Sequence, residues 1–370
     1  MHGLDIVSYN TVLNAYALNG AKDDYDSTAE ILRLLYRMEE LGEKDNRVKP
    51  NVITLNIVIR SLAKNGQTDS AEKLLHEMEE CYHAGMAAKG PNTITFNEVI
   101  DAFAKAKNPE KAEEILKLMM RISRDERRKD DIKADTIAFN TVLHAWANSE
   151  HKGAAVRAQQ LLDHMTKLYH SGNKDVKPDV FSYTATISAW AHNRHDPLSC
   201  EEAIDLLHKM EEKCALGDKD VCPNTVTYTT VINALGRSHK KGASLRALDI
   251  LLEMEKQYSK GNEDLKPDAL SYSSVIDAFS KCRESYAAEK AAEVLDRMIT
   301  LSQTEGFGSI SPNTQTYCSV ITALGNSKVK GAADKAQRIL NEMEHVYGLG
   351  NSDVCPNTII YNAGKTNANN

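Results

Sequence analysis

The chain has 370 residues, 42% of them hydrophobic, and its 45 basic and 52 acidic residues give a formal net charge of −7. The acidic balance argues mildly against a polyanionic partner for the molecule as a whole, and the apolar content is enough to fill a continuous core between stacked helices. Because no apolar run approaches the about 20 residues that cross a bilayer, no membrane partner is expected.

An internal repeat organises the chain. Turn pairs such as Pro50-Asn51 and Pro178-Asp179 recur from end to end, and each is followed five residues later by an Asn, Thr, Ser or Cys, as in the segments PNVITLN and PDVFSYT. The repeat starts are 41 to 46 residues apart, a period typical of solenoids, in which no unit has a complete core alone. We predict a single array over residues 1–370, with repeats 6–51, 52–92, 93–135, 136–179, 180–224, 225–268, 269–313, 314–357 and a partial repeat 358–370.

Each repeat is predicted to be a helix hairpin. In the second repeat, Val52, Leu55, Val58 and Leu62 recur at helical spacing, Gly66 interrupts, and a second amphipathic stretch follows. A methionine recurs in that second helix, and we interpret the row as core filler rather than as ligands. Its members are Met38, Met78, Met119, Met165, Met210, Met254, Met298 and Met343. The chain is therefore predicted to be all-α.

The seven cysteines are odd in number and include no C-x-x-C pair. We therefore expect no disulfide framework, no metal site and no cofactor, and a reducing compartment. The N-terminus enters the first repeat without a visible targeting segment. It indicates either a cytosolic protein or a trimmed piece of a longer one.

The recurring patterns V-x-[ST]-[YF]-N-x-[VL]-[IL], A-x-x-[IL]-L-x-x-M and K-P-[DN] resemble the pentatricopeptide repeat family over almost the whole chain. Two departures are units longer than the family's usual thirty-odd residues and Ala134 in place of the closing Pro. The resemblance implies a right-handed α-solenoid of stacked antiparallel helix hairpins. It also implies single-stranded RNA as partner, at about one base per repeat, a mitochondrion or plastid as location, and other RNA-processing factors as further candidate partners.

In that family the fifth and last residues of a repeat together read one base. The corresponding pairs here are Asn10 with Asn51, Asn56 with Asn92, Asn97 with Asp135, Asn140 with Asp179, Thr184 with Asn224, Thr229 with Asp268, Ser273 with Asn313, and Cys318 with Asn357. Under the family's pairing rules, Asn with Asn favours C and tolerates U, Asn with Asp favours U, Thr with Asp favours G, and Thr or Ser with Asn favours A. The implied RNA is pyrimidine, pyrimidine, U, U, A, G, A and one undefined base, from 5′ to 3′. The alternative is that these side chains only cap helices.

The second residue of each repeat is predicted to sandwich the bases. These residues are Val7, Ile53, Ile94, Ile137, Phe181, Val226, Leu270 and Gln315. The alternative is that they pack against the neighbouring repeat. A row of cations near the end of the first helix, Lys64, Lys105, Arg237 and Lys281, is predicted to follow the phosphates. Interaction with the helix dipole explains this row equally well.

No Walker loop, G-x-S-x-G or H-E-x-x-H motif occurs, so we expect neither an enzyme nor a small-molecule substrate. The rival hypothesis is a protein-interaction scaffold of the tetratricopeptide type, which would bind a peptide or a partner helix. Net acidity favours it. The absence of that family's signature and its 34-residue period argue against it.

Overall fold

The computed structural model describes residues 5–19, 27–125, 127–128, 131–193, 196, 198–238, 240–304, 310–327 and 329–356. Within these ranges the regular structure is helical and no strand occurs. The all-α prediction is confirmed.

The chain divides into two compact units, residues 1–178 and 179–370. The first contains α1 (Ile6–Asn19), α2 (Ser27–Gly42), α3 (Val52–Lys64), α4 (Thr68–His83), α5 (Thr93–Lys105), α6 (Pro109–Ile122), α7 (Thr136–Ala147) and α8 (Ala154–His170). The second contains α9 (Val180–His192), α10 (Ser199–Ala215), α11 (Thr225–Arg237), α12 (Ala243–Ser259), α13 (Ala269–Lys281), α14 (Ala287–Ser302), α15 (Thr314–Asn326) and α16 (Ala332–Gly348).

Each unit is a stack of helix hairpins. In the first unit, α1, α3, α5 and α7 lie side by side, and α2, α4 and α6 each pack between two consecutive members of that row. The second unit repeats the arrangement with α9, α11, α13 and α15 in the row and α10, α12 and α14 behind it. All eight recurring methionines are buried between these layers, which confirms their interpretation as core residues.

The odd-numbered helices begin at the predicted repeat starts because a capping residue ends the preceding turn. At α3, the Asn51 Oδ1 atom accepts hydrogen bonds from the backbone N–H groups of Ile53 at 3.0 Å and Thr54 at 3.2 Å. The Thr54 hydroxyl in turn accepts the Asn51 N–H at 3.3 Å. This reciprocal capping box fixes the first turn. That residues 1–370 form a single array stays a prediction.

One disulfide corrects the reading of the cysteines. Cys214 lies in the last turn of α10, and the chain then reverses through a short 3₁₀ turn at Lys219–Val221. The reversal brings the Cα atoms of Cys214 and Cys222 to within 4.8 Å of each other, and their sulfur atoms form a disulfide bond. The sequence analysis, which expected no disulfide framework, did not predict this single pair, because its proximity depends on the turn rather than on a recognisable spacing.

Gly236 allows a close approach between α11 and α13. A Cβ atom added at Gly236 would stand 3.1 Å from the Ala278 Cβ atom and 3.3 Å from its Cα atom. Both contacts are shorter than ordinary van der Waals distances, so a side chain here would push the helices apart. The absence of a side chain therefore sets the spacing of these two neighbouring repeats.

We predict that Gly236→Leu lowers the free energy of unfolding by about 1–3 kcal/mol through overpacking. Gly348→Leu is the matched control, because a Cβ atom there meets nothing within 4 Å, and its effect should stay within about 0.5 kcal/mol. Denaturant unfolding followed by circular dichroism measures both. Equal losses in the two variants would contradict the close-approach argument.

Candidate nucleic-acid interface

The second residue of each repeat forms an exposed apolar row. The exposed fraction runs from 53% for Ile94 to 69% for Phe181, and Val7, Ile53, Ile137, Val226 and Leu270 fall between them. Gln315, the polar member, is also exposed. Packing against the neighbouring repeat does not account for side chains that leave more than half of their surface in solvent. Exposed aliphatic and aromatic groups at this spacing can contact stacked bases.

The predicted last-residue readers are the capping residues of the next odd-numbered helix. Their side-chain oxygen accepts backbone N–H groups of the first turn at Asn51, Asn92, Asp135, Asp179, Asn224, Asp268 and Asn313. The capping alternative thus describes a real role of these residues. It engages one of the two terminal polar atoms of each side chain, so capping and base contact are compatible. Asn357 lies outside the described residues.

Fifth and last residues come together through a buried hydroxyl. The Asn56 amide donates to the Asn92 Oδ1 atom at 3.3 Å. The Thr95 hydroxyl, the third residue of the next repeat, lies 2.7 Å from the Asn56 Oδ1 atom and 3.1 Å from the Asn92 Oδ1 atom. Equivalent hydroxyls join Asn10 to Asn51, Thr184 to Asn224 and Thr229 to Asp268.

Other predicted pairs are arranged differently. Asn97 and Asp135 have no bridging hydroxyl, because the third residue there is Ala138, and the buried Asn97 Oδ1 atom makes no hydrogen bond. The Ser273 hydroxyl donates instead to the Leu270 carbonyl at 3.1 Å. Asn140 and Asp179 belong to different units.

The fifth residues differ in how open they are. Asn10, Asn97, Asn140, Thr184 and Ser273 are half-buried. Asn56, Thr229 and Cys318 are buried, with 7%, 3% and 9% of their surface exposed. A base can therefore reach the first group more directly than the second.

The cations of the predicted phosphate row make contacts within the protein, and two of them bind backbone carbonyl groups. Lys64 Nζ donates to the Ala17 carbonyl at 2.8 Å, near the C-terminus of α1. Arg237 donates to the Ala191 carbonyl at 3.4 Å, near the C-terminus of α9. These two contacts are the interactions with helix ends that the alternative reading expects.

The other two members of the row form ion pairs one helical turn back. Lys105 pairs with Asp101 at 2.5 Å, and Lys281 pairs with Asp277. Within the described residues, each of the four predicted phosphate ligands thus has a partner inside the protein. The pairs of Lys105 and Lys281 are exposed, so an RNA phosphate could compete with the carboxylates.

The chain resembles known proteins both in sequence and in fold. Residues 46–79 and 94–123 each match the family described as PPR repeat, and residues 168–238 match the family described as Pentatricopeptide repeat domain. The crystal structure of the pentatricopeptide repeat protein PPR10 from maize superposes with a TM-score of 0.56 at 22% identity. A search among curated proteins gives no match.

The chain is a pentatricopeptide repeat protein. The superposition covers 96% of this chain and 41% of the maize chain. At this identity it bears on the fold alone, and it confirms the predicted α-solenoid class. This pentatricopeptide repeat protein spans less than half of the structure that it matches, so the activity of a whole relative comes to it only as a proposal.

This pentatricopeptide repeat protein has a basic cavity beside α11, α12 and α13 that the sequence did not predict. Lys240, Lys241, Lys281 and Arg283 line a space of about 430 Å³, with Glu284 as the acidic residue among them. The wall also includes the start of α12, which has no side-chain cap. An uncapped helix N-terminus beside cations favours anions. The signal in the sequence was the basic loop SHKKGAS, whose position beside KCRE depends on the stacking of two repeats.

Glu201 forms an ion pair with one cation of this cavity. Lys240 Nζ lies 3.3 Å from the Glu201 carboxylate. Desolvation acts to lower the pKa of Lys240, but interactions with Cys200 and Glu201 outweigh it and raise that pKa above its ordinary value. Lys240 is therefore a cation throughout the physiological range.

The described residues offer neither a metal site nor a membrane-spanning helix. In those ranges no set of three or more His, Cys, Asp or Glu side chains is placed to hold a metal ion. Across the same residues, no helix combines the length and apolar character needed to span a membrane.

We predict that Ile53→Ala changes the free energy of unfolding by no more than about 0.5 kcal/mol, because its side chain is largely in solvent. Leu55→Ala, two residues away and buried, should cost about 2–5 kcal/mol. Denaturant unfolding of both variants distinguishes a surface row from a packing row. A loss at Ile53 comparable with that at Leu55 would favour packing between repeats.

Proposed function

We propose that this pentatricopeptide repeat protein binds single-stranded RNA with sequence selectivity, at about one base per repeat, and acts in organellar RNA processing, stability or translation. The observation that carries the proposal is the alternation of an exposed second residue with a polar pair in successive repeats. The exposed row offers faces on which bases stack. The pair offers a donor and an acceptor at one place, as selection of a base edge requires.

The phosphates would be held by cations that remain available to solvent. Lys105 and Lys281 offer charge in exposed ion pairs, and Lys241 and Arg283 line the basic cavity. The cavity shares Lys281 and Arg283 with a larger groove that also includes Gln315 and Cys318. Phosphate contacts in the second unit are therefore expected beside its predicted base contacts.

The proposed base contacts are tested at Thr184, whose hydroxyl is half-buried rather than sealed. Thr184→Asn should shift the preference at the fifth base from A towards C, because the variant carries the Asn–Asn pair that the family resemblance assigns to C. Binding of RNAs that differ only at that base measures the shift. Thr230→Asn, the same change one residue beyond the Thr229 reader, is the control. An unchanged ranking of bases in Thr184→Asn removes the readout proposal.

The phosphate proposal predicts a shallower salt dependence in the double variant Lys241→Gln/Arg283→Gln. Each lost phosphate contact should reduce the slope of log K against log salt by about 0.7, the value for single strands. A control carries Lys73→Gln and Lys256→Gln, which alter exposed lysines on even-numbered helices. If both double variants keep the slope of the parent protein, the cavity does not contact RNA.

The rival function is a scaffold that binds a peptide or a partner helix. It is favoured by the net charge of −7 and by the use of Lys64 and Arg237 on backbone carbonyls. Titration of mixed RNA pools at low salt separates the two functions. Failure to bind any RNA under those conditions would favour the scaffold.

A further inference from the structure

The third residue of a repeat contributes a hydroxyl that lies behind the readers. Thr54, Thr95, Ser182, Thr227, Ser271 and Thr316 expose at most 1% of their surface. In four repeats the hydroxyl contacts both the fifth residue of the preceding repeat and the capping residue of its own helix. We name this three-member chain, fifth residue to hydroxyl to capping residue, the hydroxyl relay.

A carboxylate cap fixes the direction of the relay. Ser271 Oγ lies 2.7 Å from the Asp268 Oδ1 atom, and an ionised carboxylate accepts only, so the single Ser271 proton points to Asp268. Thr229 Oγ1 lies 2.9 Å from Ser271 Oγ. The proton in that contact must then come from Thr229. A base that reaches Thr229 meets lone pairs, which accept hydrogen bonds.

When the capping residue is Asn, the hydrogen bonds of the relay run in the opposite direction, from the third-residue hydroxyl to the fifth residue. The Thr54 hydroxyl lies 2.8 Å from the Asn10 Oδ1 atom and 3.3 Å from the Asn51 Oδ1 atom. The corresponding distances are 2.7 and 3.1 Å for Thr95, between Asn56 and Asn92. Both possible acceptors are neutral amide oxygens, and the hydroxyl lies nearer to that of the fifth residue, so the hydroxyl proton goes to the fifth residue. Asn10 and Asn56 therefore turn their oxygen inwards and keep an N–H to donate to a base.

The relay through Thr227, which also ends in an Asn cap, has the same hydrogen-bond direction. Its hydroxyl lies 2.8 Å from Thr184 and 3.1 Å from the Asn224 Oδ1 atom. The hydroxyl is nearer to the fifth residue in all three relays that end in Asn, and nearer to the cap in the relay that ends in Asp. Thr184 can thus accept from Thr227 and keep its own proton for a base.

We propose that the third-residue hydroxyl is a specificity-determining positioning residue, which converts the choice of Asn or Asp at the cap into donor or acceptor character at the fifth residue. This inference rests on the proposed RNA binding. Adenine N1 and cytosine N3 accept hydrogen bonds, whereas guanine N1–H and uracil N3–H donate them. An Asn cap would then select A or C and an Asp cap G or U, which is the grouping that the family's pairing rules imply, and the relay supplies a physical reason for it.

One repeat provides a natural comparison. Ala138 stands at the third position between Asn97 and Asp135, and the Asn97 Oδ1 atom is buried without a hydrogen bond. Without a relay, the Asp135 cap has no hydroxyl through which to impose acceptor character on Asn97. The third base should therefore be read with weaker discrimination between U and C than Asn with Asp would otherwise give.

The test is a double-mutant cycle on the full chain. Asp268→Asn is made alone and together with Ser271→Ala, and binding is measured to short single-stranded RNAs that carry each base in turn at the position of the sixth repeat. In the parent background, Asp268→Asn should shift the ratio of G to A affinity by about tenfold towards A, the scale of one unsatisfied hydrogen bond. In the Ser271→Ala background, the same change should leave that ratio nearly constant.

Two results overturn the relay. If Asp268→Asn shifts the ratio equally in both backgrounds, the capping residue acts on the base directly, while RNA readout itself stands. If the parent protein shows no preference among bases at the sixth position, the proposed readout fails there and the relay fails with it. Ser271→Thr retains a hydroxyl and should restore the shift, which separates loss of the relay from damage to the fold.

Ala138→Ser tests the same inference by introducing a hydroxyl into the repeat that lacks one. The new hydroxyl would donate to Asp135 and accept from the Asn97 amide, which turns the Asn97 oxygen towards the base. Preference for U over C at the third base should then rise by about tenfold. Thr93→Ser, at the first position of a repeat, is the control. An unchanged ratio of U to C in Ala138→Ser counts against the relay.

Discussion

The hydrogen bonds at the start of each odd-numbered helix are the constraint on which the rest of the structure depends. An Asn or Asp side chain ends the preceding loop and satisfies N–H groups that the first helical turn leaves without partners. In α3, α5, α9, α11, α13 and α15, the Ser or Thr two residues after the helix start accepts the backbone N–H of the capping residue. Because this box has the same register in successive repeats, the second residue falls on the exposed side and the fifth lies against the next box.

Several charged side chains of this protein hold neighbouring helices together. Lys64 and Arg237 neutralise the C-terminal ends of neighbouring helices. In the first unit, the buried Glu113 accepts from the Trp146 indole at 3.0 Å and from Arg157 Nε at 2.8 Å, which ties three helices together. Burial acts to raise the pKa of Glu113, but the hydrogen bonds from Arg157 and Lys117 outweigh it and lower that pKa. An acidic protein can still offer local cations, as the cavity near Lys241 and Arg283 illustrates.

Much of the fold followed from local patterns. The helix starts at Val52 and Thr225, the burial of Met78 and Met254, and the all-α class all rest on periodicity and capping, which act over a few residues. The disulfide between Cys214 and Cys222 did not follow, since it depends on the path of a loop. The partners of Lys64 and Arg237 could not be predicted from the sequence either, because the carbonyl groups that they bind lie 47 and 46 residues earlier in the chain.

The sequence by itself determined the repeat, its register and the chemical type of each candidate reader, because these are properties of residues close together along the chain. Only the tertiary structure decided that the row from Val7 to Leu270 is exposed, that Thr229 and Cys318 are buried, and that Thr95 and Thr227 touch readers of the preceding repeat. The physical reason is that each of these facts depends on how one hairpin stacks on the next. Stacking places side chains about 40 residues apart within hydrogen-bond distance, and periodicity within one repeat carries no record of those contacts.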